Sequence, residues 1–118
     1  MANDTLPQNH LADTIQALKK GLTSIPLSAA MDNTEAWQQE FLQSGIPALQ
    51  DIAREIGNLQ SLLTAPKIDG PAVGRALSLL GSQTTQFAFQ ATADQQADVR
   101  SIGDLLLRLG TELQGQPA

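Results

Sequence analysis

VRSIGDLLLRLGTEL, residues 99–113, decides the fold. Its apolar residues Val99, Ile102, Leu106, Leu109 and Leu113 are separated alternately by three and four positions, which places them on one stripe of an α-helix. Arg100, Asp104, Arg108 and Glu112 recur every four residues on the opposite side, where each can reach the next along a solvated face. Such a stripe is stable only when other helices cover it.

The preceding segment supplies one. Val73, Leu77, Leu80, Thr84, Phe87 and Ala91 repeat the same spacing, after a loop from Thr64 to Pro71 in which Asp69 or Gly70 can cap the helix that follows. Gly74, Gly81 and Ala88 lie seven apart on one flank of this helix, and Gly103 and Gly110 lie seven apart on the last one. A glycine inside a helix costs about 1 kcal/mol relative to alanine. Several at a fixed period therefore predict a close backbone approach of the two helices. Between them, Gln90 to Gln96 holds neither glycine nor proline. Continuing the seam would bury Asp94 and Asp98, whereas Thr92 with Gln95 forms a capping box and leaves both aspartates near a helix start. We place a turn here; the alternative is one long rod completed by a second chain.

The N-terminal half predicts two more helices. Pro7 suits a first turn, and Leu11, Ile15, Leu18 and Leu22 share a face. Lys19, Lys20 and Gly21 read as a C-terminal signal, yet Ile25 and Ala29 continue the seam, so we extend this helix to about Ala30 with a kink near Pro26. Asp32 followed by Glu35 resembles the start of the second helix. That helix carries Trp37 and Phe41 and then, displaced by one position, Leu49, Ile52, Ile56, Leu59 and Leu63. Gly45 and Pro47 sit at the displacement and predict a kink. The expected fold is all-α, an antiparallel up-down-up-down four-helix bundle over residues 1–118 as a single domain, with 1–6 and 115–118 frayed.

Composition agrees with this and removes several functions. The chain has 118 residues, 42% apolar but only 3% aromatic, so its core is aliphatic and of single-domain size. Without cysteine there is no disulfide framework, thiolate nucleophile or thiolate metal site. A net charge of −5, with seven basic residues, opposes nucleic-acid binding and anionic membranes. No run approaches the roughly 18 apolar residues of a membrane span, and no basic start precedes an apolar block near the N-terminus. The expectation is a soluble, cytoplasmic protein; a leader removed upstream would change the compartment.

Reactive constellations are absent from the pattern. His10 is the single histidine and has no Glu-x-x-His pair to join, so no metal site is expected. Lys19, Lys20 and Lys67 read as solvated. Asp32, Glu35, Asp69, Asp94 and Asp98 fall at proposed helix starts, Asp104 and Glu112 on an exposed face, and Asp51, Arg54 and Glu55 in a local cluster. The GPAVG run at Gly70 lacks the spacing and lysine of a phosphate loop. We therefore expect no catalytic residue, no metal and no cofactor. The informative stretch is the apolar tip, where Leu27, Met31, Trp37 and Phe41 either close the end of the core or form a surface for a protein partner or a second copy. The leading expectation is a non-catalytic interaction or structural module. The alternative is a carrier of a small hydrophobic ligand within the bundle, and a third is an enzyme using carboxylates alone.

Overall fold

Proline cannot donate the hydrogen bond that a helix interior requires, and its ring clashes with the preceding turn. In the N-terminal half this constraint outweighs the continuity of the apolar seam. The structure, a computed structural model, describes residues 13–16, 19 and 26–115. Within them the chain is all-α: α1 (Leu27–Gln43), α2 (Pro47–Leu63), α3 (Gly70–Phe87) and α4 (Ala93–Gln114), with a 3-10 turn at Ala88–Gln90 and helical backbone at 13–16.

The kinks expected near Pro26 and Pro47 are breaks. Pro26 is extended, with φ −62° and ψ 148°, and its carbonyl accepts the first bond of α1 from the Ala30 N–H at 3.0 Å. No helix runs through it, while the rival end at Gly21 lies outside the described residues. At the second break Gly45 takes φ +74°, a left-handed conformation suited to glycine. Ser44 Oγ donates to the Phe41 carbonyl at 2.7 Å and accepts from the Ile46 N–H at 3.1 Å, which closes the turn. Pro47 then opens α2, where its missing donor is harmless. The start expected at Asp32 is also corrected: Asp32 and Glu35 lie exposed inside α1. Leu27, Ala29, Ala30 and Met31 favour helix, so α1 begins as soon as the proline permits.

The C-terminal half follows the pattern more closely. Asp69 caps α3, its Oδ1 accepting from the Ala72 N–H at 3.1 Å. Val73, Leu77, Leu80 and Phe87 are buried, and the seam continues across the turn in Ala91. The chain does turn between α3 and α4: Ala91 and Thr92 are extended, and the Thr92 carbonyl receives the Gln95 and Gln96 N–H groups. The capping box is not made, because Thr92 Oγ1 is buried without a hydrogen-bond partner.

The glycines account for the α3–α4 contact. A Cβ built on Gly74 would lie 2.7 Å from the Gly110 carbonyl oxygen, and one on Gly81 2.8 Å from that of Gly103. The two pairs meet in opposite chain order, so α3 and α4 are antiparallel with backbones in direct contact. Gln114 reinforces the far end by donating to Ser78 Oγ at 2.8 Å. In α2 the buried stripe is Leu49, Ile52, Ala53, Ile56 and Leu59. Helices adjacent in sequence pack as neighbours, whereas α1 and α4 make at most a marginal contact. Helical packing of this kind is that of a bundle.

Candidate functional site

The seams of the four helices face a shared space. It is a cavity of about 620 Å³, within the range of sites that hold small organic molecules. Ile56 and Leu59 of α2, Leu77 and Leu80 of α3, and Ile102 and Leu106 of α4 represent its three aliphatic walls. Exposed Leu27 and Ile68 also line it.

The remaining wall is different. Asp13, Thr14, Asn33 and Thr34 line the cavity from the N-terminal helical residues and α1. Thr14 is 8% exposed and organises this wall: its Oγ1 accepts from Trp37 Nε1 at 2.8 Å and from Asn33 Nδ2 at 3.3 Å. Thr34 is held from α2, where Gln60 Nε2 donates to its hydroxyl at 3.1 Å, while that hydroxyl donates to the Met31 carbonyl at 3.0 Å. Thr84, the polar residue on the facing side, donates to the Leu80 carbonyl of its own helix at 2.7 Å. Apart from Thr84, whose hydroxyl is taken up by its own helix, the described polar lining residues come from 13–14 and α1.

The residues expected to form a partner surface separate into two environments. Trp37 and Phe41 turn inward, 7% and 8% exposed, with ring centroids 5.3 Å apart and a 32° tilt. Leu27 is 48% exposed and Met31 is half-buried. Leu27, Trp37 and Phe41 all line the cavity. Among the described residues no group of three or more His, Asp or Glu side chains is placed to hold a metal. His10 and Lys20 lie outside those residues. Asp13 is the single carboxylate among the described lining residues.

Sequence reasoning offered room for a ligand within the bundle only as an alternative, without its lining residues, and missed the role of Thr14. Periodicity registers which residues face inward and not how far apart the facing walls stand. The signal for Thr14 was indirect: a buried tryptophan N–H needs an acceptor, and a threonine beside the seam of the first helix can supply it.

The fold and site define a class: an all-α domain with an apolar chamber bearing one polar wall. Comparison of the chain with protein-family models, with curated proteins and with solved structures finds no match. Among the described residues, no helix is long and apolar enough to cross a membrane.

Proposed function

We propose that the chain is a non-catalytic helical module, its helices running alternately up and down, that carries a small hydrophobic molecule between them. One observation carries this reading: a cavity of about 620 Å³ whose α2, α3 and α4 walls are apolar apart from Thr84, whose hydroxyl is bonded within its own helix, and whose other described polar residues come from 13–14 and α1. Burial of Trp37 and Phe41 supports it as well, because it makes them walls of that space rather than an exposed docking patch.

The test uses the neutral apolar dye Nile red. Its emission should rise and shift to the blue saturably at one dye per chain, with quenching of Trp37, the sole tryptophan. Leu106→Phe and Leu80→Phe place added bulk in the cavity, and each should weaken binding at least tenfold. Absence of saturable binding, or binding indifferent to both variants, would overturn the reading.

A protein partner or second copy seated over Leu27 and Ile68 is a second reading, supported by their exposures of 48% and 52%. Sedimentation velocity tests the second-copy form: self-association should appear with rising concentration and disappear in Leu27→Gln.

A further inference from the structure

The walls of the chamber also specify what kind of molecule fits. Accepting the carrier reading, on which this inference rests, we infer that the ligand is an aliphatic amphiphile with a cationic head, the head held at Asp13. Asp13 is the one ionisable side chain among the described residues lining the cavity, and it belongs to the same wall as Thr14, Asn33 and Thr34. A tail lying against Leu59, Leu77 and Leu106 has its head on that wall, since elsewhere the described lining residues are hydrocarbon apart from Thr84, whose hydroxyl is bonded within α3. A carboxylate head would bring a second negative charge beside Asp13, and no cation is among the described lining residues to offset it. An ammonium head makes a charge-assisted hydrogen bond to the same oxygen atoms. The net charge of −5 adds a field that concentrates cations and repels anions.

Three probes with the same ten-carbon tail separate head charge from tail burial: decylamine, decanol and decanoate, each displacing Nile red from the full chain at pH 7 and low salt. Decylamine should bind at least threefold tighter than decanol, and decanol at least threefold tighter than decanoate. The spread should shrink as salt rises. Asp13 is exposed, so Asp13→Asn tests the head contact with little risk to folding, and should bring the three affinities to within about twofold of one another. Equal affinities in the wild type, a reversed order, or a spread untouched by Asp13→Asn would overturn the inference while Nile red binding kept the carrier reading intact. Failure of Nile red itself to bind would instead remove that reading.

Discussion

At the scale of single residues, two positions act through forces that burial alone does not reveal. A Cβ on Gly45 would meet nothing within 4 Å, so Gly45→Ala changes no packing. What it meets is the backbone, held at φ +74°. Left-handed geometry costs an L-residue about 1–2 kcal/mol, and urea unfolding should show a loss of that size with an unchanged m-value. Thr14 is the converse case, a side chain whose value lies in one acceptor oxygen. Thr14→Val keeps the shape and removes the acceptor 2.8 Å from Trp37 Nε1. The loss should be about 1–3 kcal/mol, with a shift in Trp37 emission that an apolar change at an exposed site would not produce. Surface charge contributes little by comparison. The Asp51–Arg54 pair at 3.1 Å has side chains 60% and 77% exposed, a setting in which ion pairs are close to neutral for stability.

At the scale of helices, the same substitution should act with opposite sign in two places. Gly57 and Gly81 both lie in helix interiors, where alanine is favoured by about 1 kcal/mol. A Cβ on Gly57 meets only the end of the Gln38 side chain, at 3.1 Å, which can rotate away. Gly57→Ala should therefore raise stability by about 0.5 kcal/mol, the propensity gain less part of the Gln38 hydrogen bond. A Cβ on Gly81 meets the Gly103 carbonyl at 2.8 Å and the Leu107 N at 2.9 Å. Backbone atoms cannot rotate away, so α3 and α4 must part, and overpacking of about 1–3 kcal/mol outweighs the propensity gain. Thermal unfolding of the two variants side by side decides the matter. This seven-residue glycine period was legible in the sequence because it contradicts helix propensity, and a contradiction needs a cause. So was the α3–α4 turn, because the alternative register would bury Asp94 and Asp98. The helix breaks were less legible. A proline on a continuing seam fits either a bent helix or two helices, and only the backbone of Pro26 and Gly45 distinguishes them. The Asp32 start failed because a carboxylate on an exposed helical face has the same spacing to Glu35 as one in a first turn.

At the scale of the molecule, the decisive property is one that no sequence period encodes. The helices α1 and α4 scarcely touch, and the space the helices line is about 620 Å³. Close-packed interiors are the rule, and lining atoms lose dispersion contacts where neighbours are missing. The chamber therefore lowers the stability of the ligand-free chain, and whatever occupies it restores contacts that only the folded state can make. Binding and folding are then linked: a ligand present at 100 times its dissociation constant adds about 2.7 kcal/mol to the unfolding free energy. Leu106 is half-buried on α4 and borders the space, so Leu106→Phe supplies part of the missing volume from the protein itself. The ligand-free variant should unfold at higher urea than the wild type, while the increase caused by decylamine should largely vanish. A variant that is stabilised but still responds fully to decylamine would place the ligand elsewhere. One that is destabilised and unresponsive would mean that the walls at Leu106 already meet and the chamber is closed in solution.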